Sequence, residues 1–196
     1  MHYEGLTFDL SGLAPGKPAA LPRIQSWLGI PDHKHAEALR CVGLAFGPHI
    51  RAGSSTLPVL RGFLDVAAKL SVSLDACRGV CWAASGTVIS CDAFVQLVDR
   101  WFKDGVLPDY LFASLKSNSE GALETCGLAY FTGQELEIHP GLVGDRHQAS
   151  LLALRIVSQL VHRGALTKAE HAIAPDGSVL QLVPTPDGKT VLVGAG

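Results

Sequence analysis

Residues 110–139 read YLFASLKSNSEGALETCGLAYFTGQELEIH, and their reading decides the fold class. Tyr110 to Lys116 and Leu123 to Phe131 have the composition of two strands. Ser117-Asn118-Ser119-Glu120-Gly121 between them is a hairpin loop by composition. Glu135 to His139 forms a short third strand, in which Glu135, Glu137 and His139 point to one side and Leu136 and Ile138 to the other. Strands joined by so short a loop pair antiparallel, since a parallel neighbour needs a crossover of a dozen residues or more.

Helices and further strands flank this block. Leu151, Leu152, Ile156 and Leu160 stripe a helix from about Gln148 to Arg163, with His162 and Arg163 at its negative end and Gly164 as its stop. A final hairpin runs Val179–Val183, turns at Pro186-Asp187-Gly188 and returns over Thr190–Val193. Upstream, Leu39–Phe46 reads as a buried strand ended by Gly47-Pro48. Thr56 caps a helix carrying Leu57, Leu60, Leu64, Ala67 and Leu70 on one face. Arg78–Trp82 and Thr87–Ile89 are strands about a Ser85-Gly86 turn. Asp92 opens a helix whose stripe is Phe94, Val95, Leu97, Val98, Trp101 and Phe102, stopped by Gly105. Mixed hairpins and helical crossovers predict an α+β fold: a mixed, largely antiparallel sheet with about three helices packed on it as a two-layer sandwich. Residues 1–37, punctuated by Pro15, Pro18, Pro22 and Pro31, read as an N-terminal Pro-rich arm with a short helix over Arg23–Leu28. Residues 38–196 read as a single α+β domain.

Composition narrows the function classes. The 196 residues carry 16 Lys and Arg against 18 Asp and Glu, and 17% charged residues fall below the roughly 25% of ordinary soluble chains. Hydrophobic residues at 47% and a net charge of −2 exclude a disordered chain and a nucleic-acid binder working by bulk positive charge. Met1-His2-Tyr3-Glu4-Gly5 has no signal-peptide character, no apolar run reaches membrane length, and five cysteines favour reduced thiols, so a bacterial-type cytoplasmic location is expected. Much of the charge deficit falls in the helix Leu151–Val161 and the strands near Cys41 and Cys81, which mark a well-buried sheet. The apolar residues left for an interface are Leu21, Ile24, Trp27 and Leu28 of the arm.

The candidate chemistry is sparse. Glu135, Glu137 and His139 on one strand face could hold a divalent metal or move protons, or could be the solvated face of an edge strand. Asp32, His33 and His35 form a polar cluster lacking further ligands. Asp145 can serve the free N–H groups of the last helix, with His147 beside it. Cys77 and Cys81 lie about 13 Å apart along a strand, beyond disulfide reach. Cys41, Cys81 and Cys126 sit in apolar strands as small buried thiols. Ser85-Gly86 lacks the Gly-x-Ser-x-Gly elbow, and no phosphate-binding glycine loop is present. No metal or cofactor is called for.

Four stretches resemble a bacterial family described as domain of unknown function 4261, over about residues 38–183. They are Val80–Gly86, Asp92–Phe102, Thr125–Ile138 with its Gly-Leu pair and closing Glu-Leu-Glu-Ile, and the Leu-rich helix Leu151–Val161. Thr132 departs from the aromatic-Gly segment of that family, and residues 1–35 have no counterpart. The resemblance implies a bacterial α+β domain and brings no activity, cofactor or catalytic residue. The expected function is a non-catalytic protein-binding module, immunity- or secretion-associated by fold analogy. It would self-associate as a homo-oligomer or hold a protein partner through Leu21, Ile24, Trp27 and Leu28. The alternative is a metal-assisted or Cys/His hydrolase using the Glu135, Glu137 and His139 face.

Overall fold

Leu6, Phe8 and Leu10 alternate with Thr7, Asp9 and Ser11, and this period of two folds as a strand in a computed structural model that describes residues 1–30 and 39–196. The protein is α+β, with 34% helix, 27% strand, three mostly antiparallel sheets and three helices of seven residues or more. The chain divides into two compact units, Met1–Ala83 with Val88–Pro108, and Ala84–Thr87 with Asp109–Gly196.

In the first unit, β1 (His2–Tyr3) and β2 (Leu6–Ser11) form a hairpin across Glu4 and Gly5, both at positive φ as a tight hairpin turn requires. β3 (Ser26–Leu28) follows, then β4 (Gly43–Phe46), which pairs antiparallel with β2 and sets Phe46 opposite Phe8. α1 (Leu57–Ser73) packs on β2 and on α2 (Cys91–Asp104), and between the helices in sequence lie β5 (Val80–Trp82) and β6 (Thr87–Ile89), of which Val88 and Ile89 belong to this unit. A second sheet has the order β3-β6-β5. The aromatic core joins Phe8, Phe46, Phe63 and Trp82, with Phe46 stacked on Phe63 at 4.2 Å between centroids. Tyr3 donates to Asp65 of α1, and Lys69 donates to both Asp65 (2.9 Å) and the Tyr3 hydroxyl (2.5 Å), which fastens β1 to the helix.

The arm is extended where a helix was expected. Residues 21–25 have no regular structure, and Ser26–Leu28 is β3. A six-residue helix is too short to stand alone in water. β6 offers this segment backbone partners instead, and just beyond it the Ser90 N–H bonds the Leu28 carbonyl at 3.1 Å.

The second unit opens with α3 (Asp109–Phe112) and continues through β7 (Ser114–Ser117), β8 (Leu123–Cys126), α4 (Ala129–Thr132), β9 (Glu135–Ile138), α5 (Arg146–Arg163), β10 (Glu170–Ile173), β11 (Val179–Pro184) and β12 (Thr190–Ala195). Their six-stranded sheet has the order β10-β11-β12-β9-β8-β7. Only its β12–β9 pair is parallel, because α5 and the β10–β11 hairpin intervene as a crossover. Leu123, Leu136, Ile138, Leu180, Leu182, Val191 and Val193 bury one face of the sheet with Ala149, Ala153, Ile156, Val157 and Leu160 of α5. Asp145 caps α5 as its sequence position suggested, accepting from the N–H of His147 (2.8 Å) and Gln148 (3.4 Å).

Several predicted strands are shorter than expected: Leu39–Phe46 is strand only over Gly43–Phe46 and is half-buried or exposed rather than buried, and Arg78–Trp82 begins at Val80. Tyr110–Lys116 begins as the helical turn α3 and becomes strand only at Ser114. Leu123–Phe131 stops at Cys126, since Gly127 takes a φ of +112° and turns the chain into α4. No helix of the described residues is long and apolar enough to cross a membrane.

Candidate functional site

β9 is where the sequence concentrates chemistry, and it sits inside the sheet between β12 and β8 rather than at an edge. Its alternation holds: Leu136 and Ile138 are fully buried, while Glu135 and Glu137 lie half-buried on the opposite face. Glu135 is consumed by its own fold. Its carboxylate accepts from the Thr125 hydroxyl (2.7 Å) and from the N–H groups of Gly127 (2.8 Å), Leu128 (3.2 Å) and Ala129 (3.2 Å). These are the free donors of the α4 N-terminus, and a carboxylate is the acceptor that satisfies them best. A group so engaged has no lone pair to spare for a substrate proton or a metal.

Glu137 stands opposite Glu124 of β8. The Asn118 amide (2.9 Å) and the Lys116 ammonium (3.3 Å) hold the Glu124 carboxyl below the usual carboxylate range. His139 is exposed just beyond β9, and its Nδ1 accepts from the Gly141 N–H at 3.1 Å, starting a short 3-10 turn over Pro140–Leu142. Glu135, Glu137 and His139 thus share a side of the sheet, yet Glu135 and His139 each serve a neighbouring turn. Among the described residues, no three His, Cys, Asp or Glu side chains converge as a metal site. Asp32, His33 and His35 lie outside the described residues.

The same sheet face is open. His171 and Ile173 of β10, Gln181 and Val179 of β11, and Leu192 of β12 lie on it with Glu124 and Glu137, as the strand registers require. Leu192 belongs to an interior strand and is still 40% exposed, and Val179 and Ile173 are 49% and 66% exposed. Of the four arm residues, Leu21 is exposed, whereas Ile24, Trp27 and Leu28 are half-buried and the last two belong to β3.

Ser85 is fully buried. It donates to the Leu111 carbonyl (2.7 Å) and accepts from the Thr87 N–H (3.1 Å), which makes it a tie and not a nucleophile. Sequence reasoning missed Asp109, at the start of α3. Its Oδ1 is buried with no hydrogen-bond partner, and burial pushes its carboxyl up to about 7 against the opposing pull of His162. The sign follows from linkage. An unfolded Asp loses its proton near 3.9, whereas the folded one keeps it to about 7. The contribution to stability is therefore fullest below about pH 4 and declines as pH rises to about 7. Asp109→Asn is expected to flatten that decline. Urea midpoints of the two proteins taken across this pH range check it, and parallel profiles would refute it.

The cysteines also assemble in a way their spacing conceals. Cys91 Sγ lies 2.9 Å from Cys77 Sγ. Burial pushes the Cys81 thiol up to about 11, and Cys41 adds to the shift. Only the register of strands and turns brings such pairs together, so no linear signal could have found them. No family model matches the chain, and no curated protein or solved structure matches it.

Proposed function

We propose that the chain is a non-catalytic protein-binding module whose contact surface is the open face of the six-stranded sheet. The observation that carries this reading is the exposure of Leu192 on an interior strand, with Val179 and Ile173 exposed on the same face further along β11 and β10. Large apolar side chains left exposed on one face of a sheet are a mark of an interface. The Glu135 carboxylate, the strongest catalytic candidate, is meanwhile spent on backbone N–H groups. Glu124 and Glu137 border the apolar strip with Lys116 as the facing cation. A fitting partner therefore presents an apolar patch flanked by basic side chains. Leu21, 46% exposed, is the arm residue best placed to add a contact of its own.

The test compares the wild type with the double variant Ile173→Asp, Leu192→Asp. Both positions are exposed, so the variant is expected to keep the wild-type melting curve. Immobilised wild type is expected to retain a protein from native host extract, and the double variant to lose it more than tenfold. Leu21→Asp serves as the comparison for the arm. Equal retention by the double variant would move the interface elsewhere, and no retention by the wild type would remove the reading. Light scattering that shows a dimer split by the double variant would identify a second copy as the partner.

A further inference from the structure

Cys77 and Cys91 are separated by 14 positions yet stand in contact, with the β5 and β6 strands between them in sequence. Cys77 lies in the turn after α1, where its N–H bonds the Leu74 carbonyl at 2.8 Å. Cys91 is the first residue of α2. Since β5 and β6 are neighbours in their sheet, the chain returns to its starting point and sets the two sulfurs 2.9 Å apart. Bonding needs a separation of about 2.05 Å, so closure requires movement of about 1 Å. Both thiols are only half-buried, which leaves them within reach of a small reagent.

We propose that Cys77 and Cys91 form a redox-active pair that closes to an intrachain disulfide by exchange with a low-molecular-weight disulfide of the oxidised glutathione type. The Cys77 thiolate attacks one sulfur of the reagent. A new S–S bond forms, the reagent's S–S bond breaks, and one reagent thiolate leaves and takes a proton from water. The Cys91 thiolate then attacks Cys77 Sγ and expels the second reagent thiolate. Two protein thiols are oxidised by two electrons, and one reagent disulfide is reduced to two thiols.

The local environment orders these steps. Burial, the hydrogen bond with Cys77, the charge of Cys77 and that of Asp92 push the Cys91 thiol up to about 12. A thiol held up in this way is little ionised at neutral pH and is a slow first nucleophile. Once Cys77 is capped, its hydrogen bond and its charge are gone, and Cys91 ionises more readily for the second step. The closed ring ties the start of α2 to the turn after α1 and restricts the unfolded chain over the intervening hairpin.

The experiment starts from fully reduced protein at neutral pH and adds oxidised glutathione. After denaturation, free thiols are counted with a maleimide and the cross-linked peptides are mapped. The expected count falls from five to three, with the Cys77 and Cys91 peptides joined, the mass lower by two hydrogens, and full recovery in dithiothreitol. Cys91→Ser is expected to stop at a stable glutathione adduct on Cys77. Retention of five thiols by the wild type would overturn the proposal. So would a bond between Cys41 and Cys81, or a wild-type adduct on Cys77 that Cys91 never displaces. The wild-type map decides the matter even if a serine variant fails to fold.

Discussion

Phe8→Ala is expected to lower the unfolding free energy of the first unit by about 4 kcal/mol, in the range for truncating a fully buried phenylalanine. Phe8 has no exposed surface and meets Phe46 at 6.2 Å and Phe63 at 5.8 Å, the latter edge-on. Phe46 is its antiparallel neighbour in β4, and Phe63 comes from α1. One ring therefore joins strand, strand and helix, and its removal leaves a cavity that three elements would have to close together. Trp27, Trp82 and Trp101 are the chain's three tryptophans, and all lie in the first unit. Tryptophan fluorescence in a urea titration consequently reports this unit. Phe8→Leu keeps most of the volume and should cost about 1 kcal/mol. A Phe8→Ala loss below that figure would show that residues 1–11 decorate the fold without supporting it.

The strand that carries Phe8 is absent from the sequence expectation, although its alternation is visible in the chain. Leu6, Phe8 and Leu10 alternate with polar residues, and Glu4-Gly5 precedes them as a turn. The proline-punctuated run that follows masks this signal when the first 37 residues are judged by composition. Elsewhere periodicity sufficed. The stripes of α1, α2 and α5 gave those helices, and the alternation of β9 gave the sidedness of Glu135 and Glu137. Leu111, Phe112 and Ala113 are expected as strand and fold otherwise for a physical reason. Three consecutive buried apolar residues suit a doubly covered strand or a helical turn equally, and here they split between α3 and the approach to β7.

The site was legible in sidedness and illegible in partnership. Whether Glu135 meets a substrate or a backbone depends on where Thr125 and Gly127–Ala129 lie, and only β8–β9 pairing with the turn after β8 places them. The open face has the same character. Single strands show alternating residues, but the exposure of Leu192 becomes informative only once β12 is known to be interior. Low charge density is thus compatible with two fates for apolar residues: burial under α5 on one face, and exposure on the other.

Gly127→Ala is expected to cost the second unit at least about 4 kcal/mol, and Gly133→Ala only about 1–2 kcal/mol. Both glycines have positive φ, +112° and +76°, so both substitutions incur a conformational cost. They differ in surroundings. A Cβ on Gly133 would meet nothing within 4 Å. On Gly127 it would lie 2.4 Å from the Phe112 carbonyl oxygen and 2.7 and 2.8 Å from Cβ and Cα of Ser85. Neither neighbour can yield easily. Ser85 is held by its bond to the Leu111 carbonyl, and its own carbonyl accepts from the Ser114 hydroxyl at 2.9 Å. The substituted residue would have to move instead, drawing its N–H away from Glu135 at 2.8 Å and disturbing the other donors that the carboxylate collects. The clash and the loss of a charge-assisted network then add to the conformational term. The second unit has no tryptophan, so far-UV circular dichroism and amide exchange of β8 and β9 are the measures. Equal losses for the two variants would mean that the backbone around Ser85 relaxes, and that the turn after β8 is held by its glycine's φ alone.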